Sequence, residues 1–178
     1  MSATTAHSSL EMMDVLSKIV VPLLAASFAA FFSARFALKK FYKEKWWEKR
    51  LDAFTEIINI AYRLKMANDY FLNREYAKRD IDEEEFKPHP KDIEDKLTSE
   101  YWIDQQNLER IAQLADFTLT ANARKILEEY LVARDKILQD WRDDAIDNLE
   151  GSERDYDLSK QLLEKLVVEA KKELKIKH

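Results

Sequence analysis

The residues best suited to hold a metal or to form a nucleophile are few: His7, His89, His178, and no cysteine at all. Bundle metalloenzymes need Glu-x-x-His pairs on facing helices, and none of these histidines falls inside a stretch that reads as helix. A di-iron centre is therefore not expected, and Cys-ligated zinc, thiolate catalysis and disulfides are excluded. His89 stands between Pro88 and Pro90 and reads as a loop residue. Asp143, Asp144 and Asp147 form the densest acidic patch near a helix end, which would hold a divalent cation only weakly and reads as a solvated face. No H-E-x-x-H, G-x-S-x-G, P-loop or dinucleotide fingerprint is present, and a lone glycine, Gly151, cannot build a phosphate-cradling loop. Trp102 and Trp141 read as core or interface anchors rather than as the walls of a ligand cage. With no convergent polar cluster in view, no catalytic, cofactor-binding or metal-binding residue is assigned, and the chain is read as a non-enzyme without cofactor.

What remains is the chemistry of association. From Arg35 to Arg50 seven basic residues stand against Glu44 and Glu48, whereas from Glu44 onward 32 acidic residues outweigh 24 basic ones. An acidic body on a basic neck argues against a nucleic-acid partner. The neck interleaves its charges with rings: Arg35, Lys39, Lys40, Phe41, Tyr42, Lys43, Trp46 and Trp47 are the residues expected at a membrane interface, able to attract anionic lipids.

The element that would position this collar is the uncharged run of 16 residues from Ile19 to Ala34. Extended back to Val15 it makes about 30 Å of helix, enough to cross a hydrocarbon core. The run is apolar all round, so a soluble core would have to surround the helix completely. A cleaved signal peptide would carry its basic residues before the apolar run, but here Glu11 and Asp14 precede it and the lysines follow. Pro22 is expected to kink the helix or to mark where its regular part starts. Small residues at four-residue spacing, Ala25, Ala29 and Ser33 beside Ala26, Ala30 and Ala34, would let two copies pack closely, so a homo-oligomer is a candidate assembly. The positive-inside rule places the N-terminus outside and the rest of the chain in the cytoplasm.

The organisation follows as a polar segment 1–14, a transmembrane helix 15–38, a basic aromatic collar 39–50 and a cytoplasmic helical bundle 51–178. Ser8 with Glu11 forms an S-x-x-E start signal for the first helix. The apolar line Trp47, Leu51, Phe54, Ile58, Ala61 and Leu64 then carries that helix through the collar to about Arg79. Pro88 and Pro90 mark a loop. A second helix is expected over 91–115, interrupted near Thr98 and Ser99, with Phe117 and Leu119 buried in the link after it. A third, capped by Thr120, is expected over 121–150 and closed by Gly151 in a left-handed conformation, and a fourth opens at Ser152. The fold class is all-α: one N-terminal transmembrane helix continuing into an antiparallel bundle of about four helices.

The stretches KKFYKEKWWEKRLDAFTEII, ADFTLTANARKILEEYL and VEAKKELKIK together resemble small bacterial membrane proteins of uncharacterised function that have one N-terminal span and a cytoplasmic helical bundle. The resemblance implies an inner-membrane location and brings no catalytic residue with it. Two functions follow as expectations: a single-pass membrane-anchored interaction module, scaffold or accessory subunit, that binds a cytoplasmic protein, or a membrane-perturbing effector that oligomerises through its span, some such proteins being associated with antiphage loci.

Overall fold

Four helices and no strand make up the computed structural model, which describes residues 3–79 and 86–174, with side chains from Leu16 onward apart from Ser17 and Ile19. They are α1 (Ala3–Lys78), α2 (Lys91–Thr118), α3 (Ala121–Arg142) and α4 (Asn148–Glu173). The length of α1 reflects a sequence of 76 residues without glycine and with one proline, Pro22, which lies inside the helix rather than at its start. That start is Ala3, ahead of the expected Ser8 signal, and the side chains of Ser8 and Glu11 lie outside the described residues. The acidic stretch 80–85 and the last lysines, Lys175 and Lys177, also lie outside them.

By contact density the chain divides into two units, 1–47 and 48–178. The described residues of the first are helix alone. In the second, the second half of α1 packs with α2, α3 and α4, and the cross-links between helices reveal its topology. Glu56 and Arg63 of α1 face Arg110 and Asp104 of α2 in reversed order. Asp116 and Gln105 of α2 meet Arg124 and Tyr130 of α3. Glu129 and Asp140 of α3 meet Lys165 and Arg154 of α4, and Arg50 and Tyr76 of α1 meet Glu173 and Glu153. Every neighbouring pair is antiparallel, an up-down-up-down bundle of the kind that short links favour.

The core of this bundle is uneven along its length. Towards one end Phe54, Ile57, Ala61 and Leu64 interlock with Leu108, Ala115, Leu127, Leu162 and Leu166, all at most 2% exposed. Towards the other end the same helical phase carries Asn68, Glu75, Gln105, Arg134, Asp155 and Ser159, all buried.

Local chemistry accounts for the helix ends and for several departures from expectation. Helix α2 runs unbroken through Thr98 and Ser99, since the Thr98 hydroxyl donates back to the Glu94 carbonyl at 2.9 Å instead of diverting the backbone. It extends to Thr118, so Phe117 sits on its last turn and is exposed, not buried, while Leu119 is buried as expected. Thr120 caps α3 by accepting from the Ala123 N–H at 3.0 Å. The larger correction concerns the α3–α4 link. Helix α3 stops at Arg142, where Asp143 is the C-cap and Asp144 takes the left-handed backbone position with φ 53°. Asp147 then caps α4 through the N–H groups of Leu149 and Glu150. Gly151, expected to terminate a helix, lies in the first turns of α4, and Ser152, expected to cap it, is buried there. The glycine serves close packing: a Cβ on it would lie 3.0 Å from the Trp141 ring. The aspartates outcompeted glycine as the turn signal because Asp also tolerates the left-handed region and makes the better cap.

Candidate functional site

Two regions stand out, one in each unit. In the first, every described side chain from Val20 to Lys49 is exposed, among them Leu23, Phe28, Phe31, Phe32 and Phe36. Among the described residues, α1 is the one helix long and apolar enough to cross a membrane, and none of its apolar window is buried. Removing the seven large apolar side chains between Val20 and Phe32 from water is worth on the order of 10 kcal/mol. A polar group within such a stretch needs a partner of its own, and the Ser27 hydroxyl finds one by donating to the Leu23 carbonyl at 2.8 Å.

The sequence-predicted interface residues Arg35, Lys39, Lys40, Phe41, Tyr42, Lys43, Trp46 and Trp47 are all exposed on α1. At 100° per residue they surround the helix rather than lining one face, with Arg35, Lys39, Tyr42 and Trp46 on one side and Lys40 and Trp47 on another. Trp47 therefore joins the collar and not the bundle core, where Leu51 and Ile58 are only half-buried and Ile57 and Ile60 supply the burial instead. Ala25, Ala29, Ser33, Ala26, Ala30 and Ala34 form an exposed band of small side chains over about half the helix circumference.

The second region was not anticipated. In the polar half of the bundle a cavity of about 340 Å³ draws walls from all four helices. Helix α1 supplies Asn68, Phe71, Arg74 and Glu75, and α2 supplies Tyr101 and Trp102. From α3 come Arg134, Leu138 and Trp141, and from α4 Ser152 and Asp155. Trp102 and Trp141, expected as core or interface anchors, thus flank a concave site, Trp102 being 48% exposed. Trp141 is oriented by donating its Nε1–H to Asn148 Oδ1 at 2.9 Å and by resting on Gly151.

Polar groups around the cavity are held tightly, with telling exceptions. Asn68 donates to the Asp155 backbone carbonyl at 3.1 Å, and Gln105 donates to the Tyr130 hydroxyl at 2.9 Å. Glu75 is paired with Lys78 at 2.6 Å. Arg134, only 3% exposed, has its guanidinium carbon near the Trp102 and Tyr101 rings, 5.3 and 5.8 Å from their centroids. Its Nε and Nη2 nevertheless have no hydrogen-bond partner, nor have Arg74 Nε and Gln105 Oε1. Burial pushes the Asp155 carboxyl up to about 6, against the weaker downward pull of Arg134. Burial likewise raises the Tyr101 and Tyr130 phenols well above their ordinary range.

The sequence did carry a signal for this cluster. Arg134 continues the phase of Leu127, Tyr130 and Leu131, and Asp155 continues that of Leu162 and Leu166. A charge in the phase of a helix's apolar stripe is a candidate for burial, and a buried charge needs a partner, but the phase alone does not decide whether it is buried.

The remaining candidates are accounted for by packing. Asp143, Asp144 and Asp147 form the α3–α4 link, and Asp147 also meets Arg79 at 3.1 Å. The backbone N–H of Glu150 is the largest of the contacts that hold the Asp147 carboxyl below its usual range. His89 stacks on Tyr70 with centroids 4.6 Å apart and donates its backbone N–H to the Tyr70 hydroxyl, which in turn donates to Glu94. No three His, Asp or Glu side chains among the described residues converge as metal ligands. Comparison with protein-family models, with curated proteins and with solved structures finds no match to this chain.

Proposed function

We propose that the chain is a single-pass membrane protein of the bacterial inner membrane, whose helical bundle acts in the cytoplasm as an interaction module, a scaffold or accessory subunit for another protein. The observation that carries the anchoring is the apolar stretch of α1: fully exposed, apolar on every face, and followed immediately by a ring of lysines and aromatics. The basic side of a span stays in the cytoplasm, which puts 48–178 there and the N-terminus outside. An interaction role rests on the bundle's exposed side chains of interface type, Trp102, Phe117 and Val132 among them.

The absence of cysteine makes the topology directly testable. Thr4→Cys and Glu128→Cys variants are exposed, in intact cells and then in opened ones, to a maleimide that cannot cross membranes. Labelling of Thr4→Cys in intact cells, with Glu128→Cys labelled only after opening, is expected. The reverse pattern, or recovery of the chain in the soluble fraction, refutes the anchoring. Affinity capture from detergent-solubilised membranes tests the module: a stoichiometric partner lost on Trp102→Ala or Phe117→Ala supports it, and a chain that captures nothing under mild extraction counts against it.

A further inference from the structure

We propose that the cavity in the polar half of the bundle is a binding site for a small aromatic carboxylate, its carboxylate seated on the Arg134 guanidinium and its ring against Trp102 and Trp141. Arg134 Nε and Nη2 are buried and without partners, and together they form one edge of the guanidinium. Two parallel N–H bonds on that edge match the two oxygens of a carboxylate. The same bundle shows the pairing elsewhere. Arg63 presents the identical edge to Asp104, with Nε to Oδ2 at 2.7 Å and Nη2 to Oδ1 at 2.6 Å. At Arg134 the chain supplies no such acid: Asp155 lines the cavity but does not occupy that edge.

The rest of the site fits this ligand class. The Tyr101 and Trp102 rings both lie close to the Arg134 guanidinium carbon and help to orient the group, while its Nε and Nη2 stay without partners. Arg74 Nε, contributed to the lining by α1, is also unpartnered, and its terminal nitrogens make only loose pairs with Glu75 at 3.8 Å and Glu94 at 3.9 Å. Among the lining charges, Arg74, Lys78 and Arg134 exceed Glu75 and Asp155 by one. With Glu94 also beside Arg74, a single carboxylate is easier to accommodate there than a dianionic phosphate, which adds a second negative charge near three acids. Phe71, Leu138 and Trp141 give apolar walls to a volume of about 340 Å³, near the small end of ligand pockets and suited to one or two fused rings.

The test uses the full-length chain in detergent micelles, with benzoate and indole-3-acetate as probes and calorimetry and ligand-observed NMR as readouts against protein-free micelles. Saturable one-site binding in the millimolar range or tighter is expected, with benzamide and inorganic phosphate at least about tenfold weaker. Arg134→Lys keeps the charge but loses the fork, and is expected to weaken binding by about tenfold to a hundredfold. Should that variant fail to fold, Leu138→Trp decides, since it fills the cavity from a half-buried position on α3 and is expected to abolish binding while the far-ultraviolet dichroism and the cooperative urea transition stay those of the native bundle. The proposal is overturned if neither carboxylate binds saturably, if benzamide or phosphate binds as well as they do, or if affinity is unchanged in every folded variant.

Discussion

Replacing Asp155 by asparagine is expected to stabilise the bundle at neutral pH and to leave it unchanged in acid. The carboxyl is 9% exposed, and burial raises it from 3.8 to about 6 despite the attraction of Arg134. A raised acid means that the native state holds a proton the unfolded chain has released, so its stability contribution is complete below about pH 4 and is lost as pH rises through about 6. At about 1.4 kcal/mol per pH unit, the gap amounts to ~3 kcal/mol by neutral pH. Asparagine mimics the protonated form and removes that loss. The other charges on the cavity, Arg74, Glu75 and Lys78 from α1 and Arg134 from α3, with the Tyr101 phenol from α2, are present in both proteins, so the difference between the two isolates Asp155. Urea titrations of the full-length chain in detergent, followed by near-ultraviolet dichroism from about pH 4 to about pH 7.5, measure it. Wild-type stability should fall relative to the variant across that range by ~2–3 kcal/mol. Parallel pH profiles, or a variant less stable than wild type at neutral pH, would show that the ionised carboxylate holds Arg134 in place and that the reasoning from burial is wrong.

Other perturbations probe separate parts of the bundle. Gly151→Leu is expected to lose about 1–3 kcal/mol in the same titration, because its side chain must displace the Trp141 ring, and a stability equal to wild type would mean that the ring moves freely. Thr120→Ala removes the α3 cap and should cost about 1 kcal/mol. Glu169, 4% exposed, accepts from Thr120 Oγ1 at 2.8 Å and Asn122 Nδ2 at 2.7 Å, so a double-mutant cycle between Glu169→Gln and Thr120→Ala should show coupling of about 0.5 kcal/mol or more. Leu64→Ala, in the apolar half, should cost about 2–5 kcal/mol. If copies of the span pair through their small-residue band, replacing Ala26 and Ala30 by leucine should abolish crosslinking between copies in membranes, and unchanged crosslinking would remove that assembly.

How far the sequence could be read depended on whether burial and residue type agreed. Where they agreed the helical phase was plain: Phe54, Ala61 and Leu64, or Leu108, Ile111 and Ala115, are apolar and buried, and the helices carrying them stand where periodicity placed them. The apolar run after Val15 and the cap at Thr120 were legible for the same reason, since each is a local property of a few side chains. The α3–α4 link was misread because two signals competed. Gly151 suggested a terminator, yet its use is lateral, making room for Trp141, and only tertiary contact reveals that. Asp147 with Glu150 three residues on was the better start signal.

The cavity was missed for a deeper reason: a polar residue on an apolar stripe carries no label saying whether it is exposed at the stripe's edge or buried in its middle. Arg63 and Arg134 show the ambiguity, since both are arginines on core-forming helices, yet one is half exposed and paired with Asp104 while the other is 3% exposed with a free edge. The consequence for the bundle is a division of labour along its length. Its apolar half, with side chains at most 2% exposed, provides most of the burial energy. The polar half adds little to stability, because each buried charge must first recover its desolvation cost. Hydrogen exchange should therefore distinguish the two halves: amides around Leu64, Leu108, Leu127 and Leu166 are expected to exchange only through global unfolding, and those around Gln105, Arg134 and Asp155 through smaller openings. Saturating benzoate should slow exchange in both groups, since every opening that breaks the cavity, global unfolding included, must first release the ligand from Arg134. Uniform protection along each helix, with or without ligand, would show that the polar cluster is as firmly packed as the leucines and has no spare capacity for a guest.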